Sequence, residues 1–193
     1  MRSADPPIAV VILAGGAASR LPGKLELDAD GLPLVVRVFQ NVRGIGPVYV
    51  SAAGSFSPDI DRALECPVIV DRRPRRGPLA ALYDALPKVP HRRVFVVAGD
   101  APFVDGGVAD DLRAAWEPGI EAVVPVNQAG VLEPLCGLYD RIRLLEAARE
   151  VLTLGSGGVT AAVERLHAKR VRLSNERVFA NVNTAADRRY LKA

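Results

Sequence analysis

Apolar runs of strand length alternate along this chain with amphipathic segments of helix length. The runs predict strands at Ile8–Leu13, Val48–Ser51, Val68–Val70, Val94–Ala98, Ala122–Pro125, Leu135–Tyr139 and Val171–Leu173. The segments between them predict helices at Leu34–Arg43, Pro58–Leu64, Pro78–Leu86, Gly107–Ala115, Arg141–Leu152, Val159–Leu166 and Ala185–Leu191. This alternation is the signature of an α/β fold with a mostly parallel sheet. Strands of continuous Val and Ile suit burial on both faces. Pro78 suits the first position of its helix, where no N–H is needed. Gly15–Gly31 and the Gly-rich segment Leu154–Gly158 read as long loops. No Pro/Ser-rich linker, repeat or low-complexity tract divides the chain, so residues 1–193 read as a single domain.

Composition narrows the function. Hydrophobic residues make up 49% and charged residues 24% of the chain, which excludes a disordered protein. The 25 Lys and Arg against 22 Asp and Glu leave a net charge of +3, too small a surplus to suggest nucleic acid as a partner. No apolar run reaches the roughly 20 residues of a membrane span, so no membrane association is expected. The N-terminus lacks a signal-peptide pattern, and the expected compartment is the cytoplasm. Cys66 and Cys136 lack metal-ligand spacing, and His91 and His167 form no cluster with them. A disulfide scaffold, a zinc site and a Cys–His nucleophile are therefore not expected.

Candidate chemistry begins after the first strand, at Leu13-Ala14-Gly15-Gly16-Ala17-Ala18-Ser19-Arg20-Leu21-Pro22-Gly23-Lys24. Glycines at the end of such a strand let backbone approach a ligand, and their N–H groups suit phosphate. The dinucleotide pattern G-x-G-x-x-G fails, since Ala17-Ala18-Ser19 follows the Gly pair. A phosphate-binding Walker loop would need Gly at 18 and Ser or Thr at 25, where Ala18 and Leu25 stand. The remaining pattern is L-A-G-G-x-x-x-R with Lys24 close behind. Arg20 and Lys24 supply two positive charges for a triphosphate.

Two carboxylates follow later strands. Asp100, in Gly99-Asp100-Ala101-Pro102-Phe103, sits just past a buried strand, where open α/β sheets place their ligands. Near a triphosphate it is a natural Mg²⁺ ligand, because Mg²⁺ takes few protein carboxylates and completes its shell with phosphate and water. Asp71 opens the segment Asp71-Arg72-Arg73-Pro74-Arg75-Arg76-Gly77-Pro78-Leu79, whose last residues start a helix at an end favourable to anions. Its four Arg residues suit either an anionic group or a solvated loop.

Taken together, these elements resemble the molybdenum cofactor guanylyltransferases, within the MobA-like nucleotidyltransferases. The resemblance is carried by the Leu13–Lys24 loop, Asp71 with Gly77-Pro78-Leu79, the D-x-P-F element at Asp100, and Glu133-Pro134-Leu135-Cys136-Gly137-Leu138-Tyr139. Asn181-Val182-Asn183-Thr184 is similar to a further element near the family's C-terminus. It implies a three-layer Rossmann-like nucleotidyltransferase fold with a mostly parallel central sheet. It also implies Mg²⁺-dependent transfer of GMP from GTP to Mo-molybdopterin, with release of pyrophosphate.

Under that resemblance Arg20, Lys24 and Asp100 carry catalysis. Leu13, Ala14, Gly15, Gly16, Lys24, Ser51, Asp71 and Asp100 meet the nucleotide, and Asp100 with Asn183 holds the metal. Transient contact with molybdoenzymes or cofactor-synthesis proteins is a further expectation. Where many members carry Asn after the second strand, this chain reads Ser51-Ala52-Ala53. A cytidylyltransferase for the same cofactor therefore stays open, as does an enzyme for another phosphorylated acceptor, such as phospholactate or a sugar phosphate. A non-catalytic nucleotide-binding module on the same scaffold is the reading from a different class.

Overall fold

The computed structural model describes residues 7–14, 32–72 and 76–180. Among these residues seven strands form one sheet: β1 (Ile8–Leu13), β2 (Val48–Ala52), β3 (Val68–Val70), β4 (Arg93–Ala98), β5 (Ala122–Pro125), β6 (Cys136–Asp140) and β7 (Ala168–Val171). The helices are α1 (Leu34–Val42), α2 (Pro58–Leu64), α3 (Pro78–Ala85), α4 (Gly106–Ala114), α5 (Arg141–Thr153) and α6 (Val159–Val163). Short 3-10 turns occupy Leu86–Lys88 and Glu176–Phe179. The strand order is β3-β2-β1-β4-β6-β5-β7. All neighbouring pairs are parallel except those of β6, which runs against both β4 and β5.

Alternation along the strands builds the three layers. In β1, Ile8, Val10 and Ile12 face one core with α1, α2 and α4. Ala9, Val11 and Leu13 face the other, with α3, α5 and α6. All six residues of β1 are buried. Each larger aliphatic among them contributes about 1.5–3 kcal/mol by leaving water. Such two-sided burial is possible only for a central strand, and β1 lies between β2 and β4. Among the described residues no helix is long and apolar enough to cross a membrane.

Six of the seven predicted strands lie within a residue or so of their expected places. The seventh differs: it covers Ala168–Val171, not Val171–Leu173. Among the described residues β7 pairs with β5 alone, and at a sheet edge charged Lys169 and Arg170 are tolerated. Leu173, the apolar residue that pointed to a strand, instead buries itself in the core beyond the strand end. The helix expected at Ala185–Leu191 lies outside the described residues.

β6 runs against its neighbours and is held at both its ends. Its start lies beside the end of β4, where the Leu135 carbonyl accepts from Ala98 N–H at 3.0 Å. Its last residue, Asp140, caps α5 by accepting from Ile142 N at 3.0 Å and Arg143 N at 3.3 Å. The carboxyl ends of β4, β5 and β7 and the beginning of β6 therefore share one edge of the sheet.

Candidate nucleotide site

Four strand ends meet at that edge. Leu13 pairs with Ser51 on one side and with Ala98 on the other. The chain leaving β1 is held by Ala14 N–H to the Ser51 carbonyl at 2.7 Å, and the chain leaving β3 by Asp71 N–H to the Ala52 carbonyl at 2.8 Å. The chain leaving β4 is held by Gly99 N–H to the Leu13 carbonyl at 2.9 Å. A side chain at 99 would begin 3.1 Å from that same carbonyl oxygen and 3.2 Å from Ala14 Cα. Those distances are tighter than ordinary contact, so glycine lets β4 pass β1 without a neighbour giving way, and Asp100 is the next residue. Strand order reverses between β1 and β4, and such switch points are where open α/β sheets bind ligands.

Of the expected site residues, Leu13, Ala14, Ser51, Asp71 and Asp100 are thus brought to one edge. Gly15, Gly16, Arg20, Lys24 and Asn183 lie outside the described residues, as do positions 73–75 of the Arg loop. Gly77 caps α3 with φ of 85°, a left-handed conformation that favours glycine. Pro78 opens the helix, as its fixed φ suits.

Ser51 and Asp71 form a pair that no local pattern announces. The Ser51 hydroxyl, wholly buried, donates to Asp71 Oδ1 at 2.5 Å. Asp71 is itself only 7% exposed. Burial raises its carboxyl above the usual range. The Ser51 hydrogen bond and nearby Lys88 oppose that rise, and nearby Asp84 adds to it. Asp84 in turn accepts Arg72 N–H at 2.9 Å, which fixes the chain just after Asp71. Ser51 was expected to face the nucleoside; its hydroxyl donates to Asp71 Oδ1.

Asp100 is half-buried at its strand end. It lies within the first of two successive turns, closed by Ala101 N–H to the Ala98 carbonyl at 3.2 Å and Val104 N–H to the Ala101 carbonyl at 3.3 Å. Ala101 and Val104 drop into the core. Asn41 Nδ2 donates to the Pro102 carbonyl at 2.7 Å. The Arg177 guanidinium sits 4.4 Å from the centre of the Phe103 ring. Sequence reasoning missed Gly99, Asn41 and Arg177 as residues that shape the site. For Gly99 the signal was present in the glycine directly before a strand-end Asp; for the other two there was none.

The chemistry of the donors near Asp100 limits which metal could sit there. Among the described residues no group of three or more His, Cys, Asp or Glu side chains could cage an ion. A strand-end carboxylate such as Asp100 fits Mg²⁺, which relies on substrate oxygens and water for most of its shell. Burial pushes the Cys66 thiol up to about 11 and the Cys136 thiol up to about 12, away from a reactive thiolate.

Residues 10–171 match the family described as the MobA-like NTP transferase domain. The chain is 28% identical over 183 residues to a molybdenum cofactor guanylyltransferase of Desulfosudis oleivorans, covering 90% of this chain and 89% of that protein. It is 32% identical to a probable molybdenum cofactor guanylyltransferase of Mycobacterium marinum, covering 93% and 90%. Among solved structures it is similar to molybdopterin-guanine dinucleotide biosynthesis protein A of Archaeoglobus fulgidus. That match has a TM-score of 0.77 at 22% identity, over 94% of this chain and 95% of that one. It is also similar to 2-C-methyl-D-erythritol 4-phosphate cytidylyltransferase of Thermus thermophilus, with a TM-score of 0.70 at 19% identity and the same coverage. At these identities the solved structures speak for the fold.

Proposed function

The chain belongs to the MobA-like NTP transferase family, and from that membership we propose that it is a molybdenum cofactor guanylyltransferase. It is a nucleotidyltransferase. In the proposed reaction a terminal phosphate oxygen of Mo-molybdopterin attacks the α-phosphorus of GTP. The bond from the α-phosphorus to the bridging oxygen breaks, and pyrophosphate leaves with the bond's electron pair. The product is a guanine dinucleotide form of the cofactor.

The observation that carries this reading is the edge where β1, β2, β3 and β4 end. It gathers backbone from Leu13 and Ala14, the Ser51–Asp71 pair and the Asp100 carboxylate. The acceptor phosphate is already ionised near neutral pH, so the reaction needs no strong general base. Catalysis then consists of alignment and charge stabilisation. Asp100 would hold Mg²⁺, which when bound neutralises charge on the triphosphate; Asn183 is the second proposed ligand. Arg20 and Lys24 would bind the triphosphate and the departing pyrophosphate. Gly15 and Gly16 would let the backbone approach it. Asp71, oriented by Ser51, would accept from N–H groups of the base or hydroxyls of the ribose. The proposed setting is the cytoplasm, with hand-over to molybdoenzymes as a transient contact.

The test is pyrophosphate release by the purified protein with Mg²⁺ and Mo-molybdopterin, comparing GTP, CTP, ATP and UTP. Release with GTP alone is the expected result. Release with CTP alone moves the function to the cytidylyl branch, which Ser51-Ala52-Ala53 leaves open. No release with any of the four overturns the proposal. Asp100→Ala is expected to abolish release; if turnover with Mg²⁺ survives, the metal assignment is wrong.

A further inference from the structure

The turn that carries Asp100 is fastened from two distant parts of the chain. On one side Asn41, near the end of α1, donates its amide to the Pro102 carbonyl at 2.7 Å across 61 positions of sequence. On the other, the Arg177 guanidinium lies over the half-buried Phe103 ring at 4.4 Å. Arg177 belongs to the 3-10 turn Glu176–Phe179, whose first residue accepts Gln128 N–H through its carboxylate at 3.3 Å. That turn therefore bridges the segment after β5 and the Asp100 turn. Ala101 and Val104 are anchored by core packing, whereas Phe103 turns its ring to Arg177.

We infer that Arg177 is a positioning residue for Asp100, acting through the Phe103 ring, and that Asn41 holds the far side of the same turn through Pro102. The inference rests on the proposed role of Asp100 as the Mg²⁺ carboxylate. A carboxylate that meets a metal must be held to within about 0.5 Å of its working position, and that tolerance is set by the residues behind it. Two residues past Asp100 the turn is stapled by an amide; three residues past, by a cation over a ring. Without the staples, ordering this turn would be charged against metal binding. The planar guanidinium stacks flat on an aromatic face, which an ammonium does not reproduce.

The experiment measures GTP affinity by calorimetry in Mg²⁺ and again in EDTA. The ratio of the two dissociation constants isolates what the metal contributes. Arg177→Ala is expected to shrink that ratio about three- to tenfold, the size of effect a partly desolvated cation–ring contact can exert, with affinity in EDTA unchanged. Phe103→Leu should shrink it as much, and the double variant no further. Arg177→Lys should fall between Arg177→Ala and the parent protein. If Arg177→Ala fails to fold, Phe103→Leu and Arg177→Lys carry the test.

Parental ratios in both single variants, alongside a collapsed ratio in Asp100→Asn, would overturn the positioning role and leave the Asp100 assignment standing. So would additive losses in the double variant, or losses equal in Mg²⁺ and EDTA, which would mark Arg177 as merely structural. A parental ratio in Asp100→Asn would overturn the Asp100 assignment, and this inference with it.

Discussion

Replacing Ser51 by Ala removes a single oxygen from the interior, and the consequence should depend on pH. The hydroxyl is wholly buried and donates to Asp71 Oδ1 at 2.5 Å, while Asp71 itself is 7% exposed. Water has little access to replace the lost donor. A hydrogen bond to a charged acceptor is worth about 1.5–3 kcal/mol, against roughly 0.5–1.5 for a neutral one. Near neutral pH, Ser51→Ala should therefore cost about 1.5–3 kcal/mol of folding stability. At about 2–4 °C per kcal/mol for a chain of this size, melting should drop by roughly 3–12 °C.

The pH dependence follows from the direction of the Asp71 shift. Burial raises the Asp71 carboxyl above its ordinary 3.8, and the Ser51 bond works against that rise. The folded state keeps the proton to a higher pH than the unfolded chain. In the window between the two values the native state binds more protons, so Asp71 makes stability fall as pH rises through it. Removing Ser51 raises the folded value further and widens the window upward. Below the unfolded value the acid is neutral in both states, and only the smaller neutral bond is lost. Urea unfolding of parent and variant at several pH values between about 3.5 and 7.5 should show a difference that grows with pH. Equal losses across that range would refute the reasoning, because the hydroxyl would then not be supporting the ionised carboxylate. Asp71→Asn keeps an acceptor for Ser51 and abolishes this slope.

Three other expectations can be checked with standard assays. Lys24→Ala should raise the KM for GTP about tenfold or more, as loss of a charged contact to the triphosphate would; unchanged kinetics would count against the assigned role. A Cβ at Gly46 would lie 2.1 Å from the Ile8 carbonyl oxygen, so Gly46→Ala should cost about 2–3 kcal/mol in urea unfolding. A fully stable variant would mean that the entry to β1 yields more easily than its burial suggests. Asp140 both caps α5 and accepts from Arg92 Nε at 2.9 Å. Asp140→Ala should therefore lose about 1–2 kcal/mol, whereas Asp140→Asn should retain most of the cap. Equal losses in the two variants would assign the effect to charge instead.

Much of this molecule is legible from local pattern. The continuous apolar runs Ile8–Leu13 in β1 and Val94–Ala98 in β4 marked buried central strands, because a strand covered on both faces has little room for polar positions. The site was partly legible for a related reason. Asp71 follows directly on an apolar strand and Asp100 follows another after one glycine, and such a carboxylate is carried to the sheet edge wherever the strand sits. β7 shows where that logic stops: an edge strand needs less apolar character, so Lys169 and Arg170 disguised it.

Local spacing of apolar and polar residues therefore specified the elements, their approximate bounds and which strand ends carry acids, since burial of each residue depends mainly on the period of its own segment. The order of the strands, the reversal of β6 and the contacts around the acids arose from packing between segments remote in the chain. Ser51 finds Asp71 because β2 and β3 are neighbours in register. Asn41 and Arg177 reach the Asp100 turn because α1 and the chain beyond β7 converge on one edge. No periodicity within a segment encodes which other segment will lie against it; that choice is made by the sum of side-chain volumes and hydrogen bonds when the three layers close.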